Sequence, residues 1–460
     1  MRPALATVSA TAAAALACAG LLTALSGCGR PASLDADAAV RAGDLPVDAA
    51  FAKQLQTQLL DAHPGTVITL PAGRWHLDRG LSLRVDGVTI RGAGMDRTIL
   101  SFRQQVAGPE GLLVQASGLT IEGLTLEDTK GDALKINSGD RIVIRGVRVR
   151  WTDGPKTSNG AYGIYPVKTT NVLIEDSQSF GAADAGIYVG QSQHVVVRGC
   201  RAEQNVAGIE IENTIDADVH DNVATGNTGG ILVFNMPNLS QPGHQTRVFH
   251  NQVLANNLAN FGAKGTAVAS VPAGSGVVVN SNAEVEIFDN DVRDNRTANV
   301  ILSSYYSTGY YSDKGVQPGY DPYPRAIDVH DNRFQGGGDS PDGMDLKVLK
   351  SAMFGLNGHF PDVIWDGFAD AKRTAPADRL CVDATASGVL NADGPGKYKS
   401  PRLVTDALRC RLAALPAVRL PADMAGEPAG AAPPASAGST PAAAAGSTPA
   451  AAGHAPASGT

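Results

Sequence analysis

Seven residues in the first half of this 460-residue chain have the types that move protons and hold sugars: Lys135, Tyr165, Tyr188, Glu210 and Glu212, with Asp132 and Asp184 close by. Abstracting the proton α to a uronate carboxylate takes a base, plus a cation or protonated group against that carboxylate. Among these residues Asp184, Tyr188 and Glu210 are candidate proton carriers, and Lys135, or a Ca²⁺ held by Glu210 and Glu212, is a candidate for the positive charge. Tyr165 offers a flat ring for a sugar. A second concentration lies at 305–323, where Tyr305, Tyr306, Tyr310, Tyr311, Tyr320 and Tyr323 make up six of the chain's ten tyrosines. An apolar ring face with a hydroxyl suits carbohydrate. The ordinary alternatives stand beside these readings: cross-strand pairs on a solvated sheet face, and a loop packed by its own rings.

What would bring the seven together is a repeat. Nine segments end alike (TIRG, TIEG, VIRG, LIED, VVRG, DVHD, VFHN, EIFD, DVHD), with last apolar residues such as Val197, Val219, Phe249 and Ile287, and a basal step of 22 or 23 residues. A period of that size built from strands and turns means a solenoid. In residues 194–213 the pairs Val195/Val197, Cys200/Ala202 and Ile209/Ile211 alternate inward, three short strands per coil. The expected fold is all-β: a single-stranded right-handed parallel β-helix. Asn222, Asn290 and Asn332, with Cys200 one coil earlier, fall at one bend and predict an asparagine ladder that satisfies buried backbone groups.

Stacking the third strands gives one outward row of Lys135, Tyr165, Tyr188, Glu210, Leu232, Val278 and Ile301. The adjacent row is Asn137, Val167, Gly190, Glu212, Phe234, Asn280 and Ser303. Insertions at 151–162, 237–246, 257–274 and 305–325 all flank this sheet, which predicts a groove over it. The polar half of the rows is expected to be open, and the apolar half covered by loop, since large bare apolar areas are unusual. The two DVHD segments, at 218–221 and 328–331, read as repeat grammar rather than metal sites. No metal motif, GxSxG or P-loop is present.

Residues 1–27 read as a lipoprotein signal segment: an apolar run ending in Leu25-Ser26-Gly27-Cys28, where Cys28 would be lipidated and anchor the chain without a membrane span. Gly29 in place of Asp points to an outer membrane, facing the periplasm. Residues 28–46 are then a tether, and 47–340 the β-helix, opened by a capping helix bearing Phe51, Leu55 and Leu59 at helical spacing. Residues 341–420 form a small C-terminal cap with a helix at 344–354. Residues 421–460, rich in Ala, Pro, Gly, Ser and Thr, are a disordered, dispensable tail. Cys381 and Cys410 are a candidate disulfide, and Cys200 an inert inward thiol. A net charge of −7 with no basic block argues against a nucleic-acid partner.

Long stretches, among them DAGIYVGQS, VAGIEIENT, TGGILVFNMPNL, VASVPAGSGV and YDPYPR, resemble the periplasmic parallel β-helix repeat lipoproteins over residues 50–410. That resemblance implies a pectate-lyase-like superfamily without an established activity in its own family, and companionship with c-type cytochromes. The chain departs from the superfamily's enzymes: it lacks the polygalacturonase set, the lyase RxPxxR and the epimerase DPHD. Two functions follow as expectations. One is a lipoprotein that binds a glycan or a periplasmic protein; the other is a polysaccharide lyase or uronate epimerase on an acidic polymer, with no cofactor beyond a possible Ca²⁺.

Overall fold

The computed structural model describes residues 46–308, 312, 316–383 and 388–424. The expected signal segment, Cys28, the tether up to residue 45, Tyr310, Tyr311 and the tail from 425 lie outside the described residues. Strands wind into three columns in which each pairs, in parallel, with the strand one coil on. In the first column Val195 stands opposite Ala217, then Thr246, Val285 and Ile327. The third column runs Lys135, Tyr165 and, one coil on, Tyr188, Glu210, Leu232, Val278, Ile301, as the rows require. Inward residues such as Val197, Val219, Val248 and Ile287 are sealed in one aliphatic core.

The shared ending of the repeats has a backbone cause. Its last residue turns the chain out of the first strand through the left-handed region, with φ of 62° at Gly199, 55° at Asp221, 52° at Asp289 and 53° at Asp331. Gly and Asp tolerate that conformation with little steric cost. In the VFHN copy the bend falls on His250 (φ 54°), so Val248, not Phe249, takes the inward position. Phe249 instead points outward and stacks between His220 and Phe288, with ring centroids 4.7 and 5.0 Å apart.

Beyond the bend runs the expected ladder. Asn222 donates to Asn251, Asn251 to Asn290 and Asn290 to Asn332, and each side-chain amide also donates to a carbonyl of the coil before. Cys200 heads the ladder through its backbone N–H to Asn222, and burial pushes its thiol up to about 12. A second ladder, Asn205, Asn227, Asn256 and Asn295, occupies the next bend.

Helix α1 (Ala49–Leu60) closes the first coil with Leu55 and Leu59, and Gln56 exchanges hydrogen bonds with Ser82. The other end departs from the expected boundary at 340. Coiling resumes after helix α2 (Met344–Phe354): Val363–Trp365 and Val389–Asn391 extend the third column, and Leu380–Val382 extends the first. Only then does the antiparallel strand Arg402–Val404 end the stack. Cys381 and Cys410 are bonded, with Cα atoms 4.9 Å apart.

From Cys410 the chain turns back along the outer face of the first column as a strap. Leu412, Leu415 and Val418 donate backbone N–H groups to Asp328, Glu286 and Asp218 at 2.8, 3.0 and 3.2 Å. Its end carries Met424 into a cluster with Val143, Leu173 and Val196, while Asp423 pairs with Arg141. Residues 421–424 therefore belong to the packed molecule, not to a tail beginning at 421. The strap also explains the acidic DVHD residues Asp218 and Asp328: they accept from it, which repeat grammar alone did not foresee.

Candidate functional site

The candidate residues converge on the N-terminal half of the third-column face because cross-coil pairing stacks them. Tyr188 lies opposite Glu210, and Gly190 opposite Glu212. The Tyr188 ring leans back over Gly190, where an added Cβ would lie 2.3 Å from the phenol oxygen, so only glycine admits this pose. The pose lets the Tyr188 hydroxyl donate to Glu212 Oε2 at 2.7 Å. Tyr162 and Tyr165 complete a cluster of three rings, with centroids 4.3 to 5.0 Å apart. Tyr162, at the end of an insertion, was not singled out in the sequence because the strand row begins three residues later.

Lys135 Nζ sits 4.9 Å over the Tyr165 ring, 3.1 Å from Asp132 and 3.7 Å from Glu110. Its charge is thus already matched twice.

The expected openness of this half fails. Tyr188 is 4% exposed and Glu210 2%, and Asp184 is buried as well. The reason is the 257–274 insertion, held in shape by Asn260 donating to the carbonyls of Val268 and Val271. Its Gly262 comes against the Ala183 carbonyl, and Phe261 and Val268 join Ala185, Val206 and Ala207 in one apolar cluster. The loop reaches back over two coils and roofs the carboxylates. Tyr165, Lys135 and Glu212 remain half-buried at the edge.

Burial sets the electrostatics. It pushes the Asp184 carboxyl up to about 7, helped by the charges of Glu212 and Asp132 and opposed by a hydrogen bond from Tyr162. Glu210 is held well above the carboxylate range by burial, then by Asp184 and Glu212, and its Oε2 has no hydrogen-bond partner. Burial raises Glu212 too, against the Tyr188 hydrogen bond. Tyr188 is raised far above a free phenol by burial and by Glu212, and Tyr165 is pushed up to about 12, mainly by burial. Three carboxyls packed together outside water favour keeping protons. The cluster is therefore a donor as well as an acceptor near neutral pH. Among the described residues no group of three His, Cys, Asp or Glu is placed to hold a metal.

The other tyrosine concentration packs its own loop. Tyr305 is buried edge-on to Tyr320, whose hydroxyl donates to the Asn235 carbonyl at 2.7 Å. Tyr306 lies against Tyr323 and Phe368. Tyr305 and Tyr306 are thus wall residues rather than a sugar platform. The apolar half of the face is covered as expected, with Leu232, Phe234 and Val278 buried and Ile301 half-buried, and the last three also line a groove of about 860 Å³.

Residues 83–240 match the family model described as "Right handed beta helix region", and the protein folds as a right-handed parallel β-helix. Among solved structures it is similar to the A-module of the Azotobacter vinelandii mannuronan C-5 epimerase AlgE4, at 18% identity over 70% of this chain and 88% of that one, with a TM-score of 0.47. Similarity extends to the pectate lyase Pel9A (15% identity, 80% and 83% covered, TM-score 0.38). It extends also to the DFA-IIIase of Arthrobacter chlorophenolicus A6 (12%, 80% and 94%, 0.40). No curated protein sequence matches the chain.

Proposed function

We propose that this protein is a cell-envelope lipoprotein, anchored through Cys28 on the periplasmic side of an outer membrane, that binds a neutral glycan at the tyrosine and carboxyl edge of its third-column face. One observation carries the reading: Tyr162, Tyr165 and Tyr188 pack over Asp184, Glu210 and Glu212, whose raised affinity for protons makes the site rich in hydroxyl and carboxyl groups but poor in free positive charge. Rings stack on sugar faces, and carboxyls exchange hydrogen bonds with sugar hydroxyls. An acidic polymer would gain little from Lys135, already spent on Asp132 and Glu110.

A second reading, a polysaccharide lyase or uronate epimerase, is favoured by the Asp184 carboxyl at about 7, suited to giving and taking a proton at neutral pH. Calorimetry with a panel of neutral and acidic oligosaccharides, with and without Ca²⁺, separates the two. Saturable binding of a neutral member, lost in Tyr165→Ala and Glu212→Gln, supports the binder. Turnover of a uronate polymer transfers the case to the enzyme, and silence across the panel overturns the glycan reading.

A further inference from the structure

The groove on the C-terminal half of the same face is a separate site. Its floor is Phe234, Val278, Ile301 and Ile364, supplied by four successive strands of the third column. Val271 and Pro272 of the roofing insertion form one wall; Leu349 and Met353 of α2 form the other. A volume of about 860 Å³ falls within the roughly 300–1,000 Å³ typical of ligand cavities. From the Phe234 strand to Ala392, just past the fifth strand, four inter-strand steps of about 4.8 Å give a channel of roughly 19 Å.

The polar groups in its lining are already occupied. Asn280 donates to Ser303 and to the Ser304 carbonyl, and Ser303 to the Val279 carbonyl. Thr297, Thr308 and Ser270 donate to carbonyls of Ala273, Tyr305 and Ala267. Asp366 accepts from Ser304, Ser307 and Phe368. The donor hydrogens of these groups are thus spent within the wall, so a sugar or a peptide backbone placed there would leave its own acceptors unpaired. Among the described residues the aromatic lining is Phe234 and Tyr398. At the mouth Val348 is 60% exposed and Met344, one turn earlier, 73%, an apolar rim of the kind that marks a binding surface. Lys399 and Asp345 stand there in water, where a polar head would lie.

We propose that this groove binds one long saturated alkyl chain of an amphiphile, a fatty acyl group, lying along the third column with its head at the α2 mouth. Length, apolarity and the lack of unspent donor hydrogens in the described wall select that chemistry over sugars and peptides. The proposal stands apart from the glycan reading, since it uses different residues of the face.

The test is titration of the delipidated full chain carrying Cys28→Ser with a fluorescent sixteen-carbon fatty acid below its micelle concentration. Saturable binding is expected, at least tenfold weaker for an eight-carbon homologue. Ala352→Trp, which fills the groove, and Val348→Glu, which charges its mouth, should each weaken binding at least tenfold with the melting temperature unchanged. Both positions are exposed on α2, so neither variant threatens folding. If the lipidated wild type refuses the probe while Cys28→Ser accepts it, the natural occupant is the protein's own anchor. If both accept it, the occupant is an acyl chain from elsewhere. No saturable binding by Cys28→Ser, or affinity unchanged in both α2 variants, overturns the proposal.

Discussion

The two halves of the third-column face share a backbone and differ in almost everything else. At the N-terminal end, outward positions carry Tyr165, Tyr188, Glu210 and Glu212, and the molecule closes over Tyr188 and Glu210; at the C-terminal end they carry Val278, Ile301 and Ile364, and beside these sheltered residues the molecule leaves a channel. The unusual half is the first, where carboxyls lie under a loop. One insertion, 257–274, makes both halves, since its Phe261 and Val268 roof the carboxyls while its Val271 walls the groove. The difference teaches that a solenoid's repeats set which residues stand in a row, whereas its insertions decide what lies over them.

The seam between the halves is Leu232, stacked between Glu210 and Val278 and fully buried. Leu232→Ala should give the largest effect, a loss of about 2–5 kcal/mol in chemical denaturation. A smaller loss would mean that the roof collapses onto the seam and the halves are less separate than they look. Next comes the closed half alone. Replacing Glu210 by Gln removes a buried group whose affinity for protons is raised, so stability should fall less steeply with rising pH in the variant than in the wild type; parallel pH profiles in denaturation would show that the carboxyl is not perturbed by burial.

Asp184 sharpens the same point through pH. Folded it takes its proton at about 7, and unfolded near 4. The folded state therefore holds the extra proton between those values. Its stabilising contribution is complete below about pH 4 and is lost as pH rises through 7, with a slope of at most about 1.4 kcal/mol per pH unit. Melting at constant ionic strength should decline from pH 5 to 8 in the wild type and flatten in Asp184→Asn; parallel curves would place the carboxyl in water. The smallest effect belongs to the open half: Val348→Glu should change stability by under about 0.5 kcal/mol, so any loss of acyl binding reports on the groove rather than on folding.

Much of this was legible in the chain. Inward residues two apart named the strands, and the endings of the repeats marked left-handed bends that Gly and Asp occupy cheaply. The stacked rows followed by register, and Leu55 and Leu59 gave the first cap. VFHN was misaligned by one because Phe249 looks like a core residue, yet it stacks on His220 and Phe288 outside. The last coil was hidden because α2 interrupts the period. Burial of Tyr188 and Glu210 was not readable, since nothing in the composition of 257–274 says that it folds back rather than forward. The strap was hidden most fully: its anchors are backbone N–H groups, which no side-chain pattern displays.

That strap changes how the molecule comes apart. In a solenoid each coil touches only its neighbours, so ends can fray one repeat at a time. Here the segment from Leu412 to Met424 touches first-column strands from Asp328 down to Val143, six inter-strand steps or roughly 29 Å. Peeling the final coil must also lift a cord fastened far down the stack, with the Cys381 to Cys410 bond fixing its upper end. An array that would otherwise unzip from its last repeat is thereby laced into one cooperative unit. Because the lace is the C-terminal part of the packed chain, it can be drawn tight only after every coil it crosses has been made.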